Sequence, residues 1–259
     1  MTDETCQTTR DDGVFWIRIN RPHVLNALDP ATHRAIAAAL DTFEADPELR
    51  VAILTGTGER SFCVGTDLKI RAKTNADDHP PTGFAGLTHR FGLAKPVIAA
   101  VNGLAIGGGV EIVVACDLAI AAEHAEFSLP EPRIGLAALG GGVLQRLARQ
   151  IPMKFAMDVV LTGRRLTAAE AQQIGLINEI VPADALEERA RAKAAEIMAG
   201  APLAIEASKR VMLESLQFAD LETALRHRYE AAERMLVSED AKEGQAAFVE
   251  KRAPRWQGN

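Results

Sequence analysis

Apolar positions along the chain fall into two regimes. Before Met153 short apolar runs of strand length alternate with Ala-rich stretches of helical length, and after it the pattern is almost wholly helical. Residues 14–20 (VFWIRIN) are β-rich and roughly alternating, which predicts a strand stopped by Arg21-Pro22. Asp29 then stands as an N-cap before Pro30, so a helix is expected over 31–45. Residues 50–55 (RVAILT) read as a buried strand broken by Gly56-Thr57-Gly58. Residues 73–83 (KTNADDHPPTG) are the most loop-like stretch, either a mobile surface segment or a substrate lid. A strand at 97–101, a glycine-rich turn at 102–109, a helix through Ala115 and a strand at 118–122 follow. This alternation predicts an α/β architecture with parallel strands whose connecting loops gather at one edge.

Beyond Met153, helices are expected over 167–174, 183–199, 203–216 and 221–237, with one strand at 177–181. Ser238 with Glu239 and Asp240 opens a last helix to about Lys251, since two acids in the first turn suit its positive end. No repeat of fixed period is visible. The expected organisation is an α/β core over residues 1–200 and a helical region over 201–259, too short to fold alone, which docks on the core or on a neighbouring subunit.

Composition narrows the function classes. The 259 residues carry 29 Lys plus Arg against 35 Asp plus Glu, a net charge of −6, and no basic face, so nucleic acid is an unexpected partner. Cys6, Cys63 and Cys116 lack metal or disulfide spacing and fit a reducing compartment. The first 13 residues resemble neither a secretory nor a transit peptide. The longest apolar stretch, 97–115, is interrupted by glycines, Asn102 and Glu111, so no membrane span and a cytoplasmic protein are expected. The six scattered histidines and the lack of H-E-x-x-H, P-loop and G-x-S-x-G patterns point to no metal and no hydrolase triad.

The chemistry concentrates in residues 102–117 (NGLAIGGGVEIVVACD). Three successive glycines, 107–109, make sense where another group must approach the main chain closely. Glu111 follows them, surrounded by Val110, Ile112, Val113 and Val114; a carboxylate in apolar surroundings is a catalytic candidate because desolvation raises its pKa. Glu131, bracketed by Pro130 and Pro132, is a second acid. Residues 61–69 (SFCVGTDLK) form another glycine-containing turn that would point free N–H groups, including that of Thr66, into a cleft. Paired acids beside such donors can move protons while the amides hold an oxyanion.

The stretches 19–29 (INRPHVLNALD), 51–69, 95–127, 129–135 (LPEPRIG), 161–182 and 238–258 resemble the crotonase, or enoyl-CoA hydratase/isomerase, superfamily in order and over nearly the whole chain. The resemblance implies a crotonase-like α/β fold of stacked ββα units with a helical C-terminal trimerisation region, and a homotrimer or dimer of trimers. It implies a hydro-lyase acting on a 2-enoyl-CoA or 3-hydroxyacyl-CoA, with coenzyme A as part of the substrate and no further cofactor. Thr66 and Gly108 would form the oxyanion hole, and Glu111 and Glu131 the catalytic pair, with Glu111 mainly on the water and Glu131 mainly on the C2 proton. Val64, Gly65, Asp67 and Gly107 would line the substrate, and Lys69 and Lys251 would contact its phosphates. Similar hydratases often carry a Pro-Gly-Ala-Gly-Gly-like turn after the position of Gly135. Here Leu136-Ala-Ala-Leu139-Gly140-Gly-Gly142 stands instead, which would put Leu139 near the acyl pocket. An enoyl-CoA isomerase, which needs only one of the acids, is the competing activity, and a catalytically silent binding or scaffold protein the alternative of another class.

Overall fold

In a computed structural model describing residues 4–74 and 78–259, ten strands form two sheets, and from the third strand to the eighth they are dealt alternately to the two. The elements are β1 (Cys6–Asp11), β2 (Val14–Ile19), α1 (Pro30–Ala45), β3 (Val51–Gly56), β4 (Ser61–Cys63), α2 (Leu68–Thr74), β5 (Val97–Val101), β6 (Leu104–Ile106) and α3 (Gly108–Ala115). There follow β7 (Leu118–Ala122), β8 (Glu126–Ser128), α4 (Val143–Gln150), α5 (Met153–Thr162), β9 (Leu166–Thr167), α6 (Ala168–Gln173), β10 (Glu179–Val181) and α7 (Leu186–Met198). The larger sheet has the order β1-β2-β3-β5-β7-β10 and the smaller β4-β6-β8-β9. Each of the pairs β3/β4, β5/β6 and β7/β8 gives one strand to each sheet, the arrangement expected for stacked ββα units.

The larger sheet is parallel apart from β1, and its central strands β3, β5 and β7 are covered on both faces, which is why they read as nearly continuous apolar runs. Trp16, Ile53, Ile98 and Ile120 face Leu186, Ala190 and Ala194 of α7. Their sequence neighbours Phe15, Ile17, Leu54 and Ala99 face the other way, into a cluster that includes Phe43 of α1, Phe62 of β4 and Phe127 of β8. Asp29 caps α1 as expected, its carboxylate accepting from the Thr32 N–H at 2.8 Å.

Several elements depart from the sequence expectation. Residues 6–11, which show no apolar signal, form the edge strand β1; its middle is exposed, and antiparallel pairing with β2 holds it. The turns expected at 61–69 and 102–109 contain the short strands β4 and β6, and a further short strand, β8, precedes the proline-bracketed Glu131. The helix expected over 221–237 is two helices, Leu221–Arg226 and Glu230–Leu236, because His227 is extended (φ −66°, ψ 142°) and packs its ring between Phe218 and Tyr229, each 4.8 Å away between centroids. The loop expected at 73–83 begins inside α2, and residues 75–77 of it lie outside the described residues.

The C-terminal helices are α8 (Pro202–Ser215), α9 (Leu221–Arg226), α10 (Glu230–Leu236) and α11 (Glu239–Glu250). Ser238 caps α11 by accepting from the Ala241 N–H. The tail folds back, with the Trp256 indole donating to the Ala199 carbonyl and the Gln257 and Gly258 amides donating to the buried Asp240 carboxylate. Met212, Leu213, Leu216, Leu225, Leu236 and Phe248 remain exposed on this chain, Phe248 at 85%. Among the described residues no helix is long and apolar enough to cross a membrane.

Candidate active site

The site grows from one property of the smaller sheet. β4, β6 and β8 are mutually parallel, so the residues after their C-terminal ends share one edge, where ligands of α/β proteins commonly sit. Cys63 leads to the 64–67 turn, Ile106 to Gly107 and Gly108, and Ser128 to a 3-10 turn beginning at Glu131.

At the first turn Gly65 has φ +89°, and a Cβ there would lie 3.1 Å from the Gly108 nitrogen, so the two turns touch at this point. The Gly65 carbonyl and the Asp67 amide bond to Leu28 on either side of Thr66, which leaves the Thr66 N–H without an acceptor among the described residues. Gly108 is the first residue of α3, where an N–H has no carbonyl one turn earlier. Its Cα is pressed against the Phe84 ring: a Cβ would stand 2.3 Å from that ring. Gly107, at φ 55° and ψ −116°, makes the corner that turns β6 into the helix.

Both acids stand over this corner. Glu111, in the first turn of α3, is only 4% exposed, and its Oε1 accepts from the Gly141 N–H at 2.7 Å. Burial raises its pKa above the usual carboxylate value, the Glu131 charge adds to that, and the Gly141 and Val143 amides with the Arg146 charge oppose it. Glu131 Oε1 would lie 2.7 Å from a Cβ on Gly107, and its Oε2 is buried without a hydrogen-bond partner. Burial raises its pKa as well. Two carboxyl groups with raised pKa, differently hydrogen-bonded, can divide acid and base roles between them.

Gly65, Thr66, Gly107, Gly108, Glu111 and Glu131 are thus brought together, with Val64 half-buried at the end of β4. Asp67 is engaged elsewhere, its carboxylate 3.1 Å from the buried Arg21 guanidinium and accepting from the Lys69 and Ile70 amides, so it fixes the turn. Lys69 is exposed on α2, and Leu139 is exposed on the 136–142 turn whose Gly141 holds Glu111. Lys251 ends α11 at φ +55°, and no contact described within the chain brings it to these residues. Sequence reasoning missed Gly141, Arg146, Phe84 and the buried His33, whose Nδ1 accepts from the Ala85 N–H at 2.9 Å. Arg21 read only as a strand stop, yet it bridges Asp29 and Asp67. Among the described residues no cluster of three or more His, Cys, Asp or Glu side chains is arranged to hold a metal ion.

A two-sheet α/β fold with buried acids at a helix start whose N–H groups are free defines a class of acid/base site equipped to hold an oxyanion. Comparison with known proteins names the family: the enoyl-CoA hydratase/isomerase family model matches residues 9–259, and the chain belongs to that family. It is 44% identical to a carnitinyl-CoA dehydratase of Salmonella arizonae, over 99% of both chains. Among solved structures, an enoyl-CoA hydratase from Mycobacterium tuberculosis has a TM-score of 0.93 at 39% identity, covering 99% of this chain and 100% of its own. One from Mycobacterium marinum also gives 0.93, at 41% identity with the same coverage. The crotonase-like fold expected from the sequence is therefore the observed one.

Proposed function

We propose that the protein is a hydro-lyase that adds water to a 2-enoyl-CoA thioester or removes it from the corresponding 3-hydroxyacyl-CoA. The observation that carries this reading is the convergence of Glu111 and Glu131 beside the unbonded Thr66 and Gly108 amides. A shift of a double bond needs one proton-moving acid; two acids of different environment suit the addition of water. The family and the dehydratase and hydratase names of its relatives support the same reaction class.

In the hydration direction the thioester carbonyl oxygen accepts from the Thr66 and Gly108 N–H groups. Glu111, whose carboxylate form the Gly141 and Val143 amides favour against burial, takes a proton from water as the water oxygen bonds to C3. The C2–C3 π pair moves toward the carbonyl oxygen, where the two amides stabilise the enolate. Glu131, whose unpartnered Oε2 suits a protonated carboxyl, delivers its proton to C2. Dehydration is the reverse. Lys69, and Lys251 of an adjoining subunit, pair with the coenzyme A phosphates, and Leu139 borders the acyl group. The exposed apolar residues of α8 to α11 support assembly as a homotrimer or a dimer of trimers, in which they would be covered. Incubation with saturated, 2-enoyl and 3-hydroxy acyl-CoAs, carnitinyl-CoA included, tests the reading by mass spectrometry. Gain or loss of one water by any unsaturated or hydroxylated member is expected; double-bond migration alone, or no turnover across the panel, would refute it.

A further inference from the structure

Arg146 lies in the first turn of α4, half-buried, with no carboxylate within salt-bridge distance among the described residues. Its guanidinium is spent on two main-chain carbonyls: Nη1 donates to Gly141 at 2.8 Å and Nη2 to Thr88 at 2.5 Å. A desolvated cation without a paired anion is costly, and such placements persist where the charge is used. Gly141 is gripped from both sides, since its own N–H donates to Glu111 Oε1 at 2.7 Å. The fit there is close: a Cβ on Gly141 would meet the Glu111 Cβ and Oε2 at 2.8 Å. The Thr88 contact ties the same guanidinium to the segment that follows Phe84, the ring packed on Gly108.

We propose that Arg146 is a positioning residue for Glu111: it clamps the glycine turn whose amide holds that carboxylate, and it places a positive charge near it without a direct ion pair. The inference rests on the reading of Glu111 as the general base. The groups facing Glu111 are few. Glu131 comes from the 131–134 turn, Arg146 from α4, the Cys63 thiol from β4, and the His79 ring lies across Gly140, 3.9 Å from where its Cβ would be. Burial pushes the Cys63 thiol up to about 12, so it stays neutral. Burial and the Gly141 amide act most strongly on Glu111, in opposite senses; of the charges, Glu131 favours its protonation and Arg146 opposes it.

Charge and geometry separate in two variants. Arg146→Gln removes the cation, so Glu111 protonates more readily; the acidic limb of the kcat/KM profile should move to higher pH, with several-fold lower kcat/KM on that limb. Arg146→Lys keeps the charge but lacks the planar fork needed to reach both carbonyls, so kcat should fall about tenfold with the limb in place and KM within about threefold. The test uses the full chain, hydration of the 2-enoyl-CoA that the wild type turns over best in the panel above followed by loss of the enoyl absorbance, and light scattering and circular dichroism on each variant. A wild-type limb in a folded Arg146→Gln protein, or wild-type kcat in Arg146→Lys, overturns the proposal. If Arg146→Gln does not fold, the Lys variant alone decides the clamp. Glu111→Gln is the reference: full activity there would discard the base assignment itself, whereas an inactive Glu111→Gln beside an unshifted Arg146→Gln discards only the role of Arg146.

Discussion

His33 offers a measurement whose size follows from the structure. The ring is 2% exposed on α1, 4.6 Å between centroids from both Phe84 and His79, and its Nδ1 accepts the Ala85 N–H, which requires the neutral Nε2–H tautomer. Ala85 has φ +52° without being glycine, so this bond holds a costly backbone conformation beside the ring that packs on Gly108. Burial first, and the His79 ring second, push the His33 pKa down from 6.5 to about 4. Above pH 6.5 the ring is neutral in folded and unfolded chains, and the displacement contributes nothing. As pH falls through 6.5 the unfolded chain takes up a proton that the folded one refuses, so stability is lost on acidification. At about 1.36 kcal/mol per pH unit, the loss is about 2 kcal/mol by pH 5 and about 3 kcal/mol by pH 4. His33→Asn keeps an acceptor near the Nδ1 position and removes the titration. Urea unfolding followed by the fluorescence of Trp16 and Trp256, at matched protein concentration, should show the wild-type advantage over His33→Asn shrinking by these amounts between pH 7.5 and pH 4. Parallel stability curves for the two proteins would refute the reasoning.

Glu111→Gln and Glu131→Gln should each lower kcat on the acyl-CoA that the wild type turns over best by ~10²-fold or more, with product affinity by calorimetry nearly unchanged; an active variant would remove that residue from the mechanism. Gly108→Val places side-chain atoms where the Phe84 ring stands and should cost ~3 kcal/mol in kcat/KM by displacing one oxyanion donor, while far-ultraviolet circular dichroism stays native. Light scattering should give at least three times the 27.8 kDa chain mass, and truncation before Ser238 should weaken both assembly and coenzyme A binding. A fully active 27.8 kDa monomer at micromolar concentration would contradict the covering assigned to Leu225, Leu236 and Phe248.

What the sequence by itself determined is the part carried by local pattern. The apolar runs at 14–19, 51–56, 97–101 and 118–122 declare buried strands because both faces of the larger sheet are covered there, so that Arg18 and Thr55 are the only polar side chains within them. Asp29-Pro30 and Ser238 declare helix starts because capping involves only neighbours. Glu111 stands out because a lone charge among valines after three glycines violates the local pattern. β4, β6 and β8 escape such reading, since three residues are too few to show a period, and β1 escapes it because its edge is exposed. Yet the parallel register of those short strands decides which turns share an edge, and so sets Gly65, Gly108 and Glu131 side by side. Likewise Gly141 reaches Glu111 across 30 residues, and Ala85 reaches His33 across 52. Neither partner carries a distinctive side chain: each contributes a backbone N–H, which every residue but proline has, so only the folded chain can say which one is used.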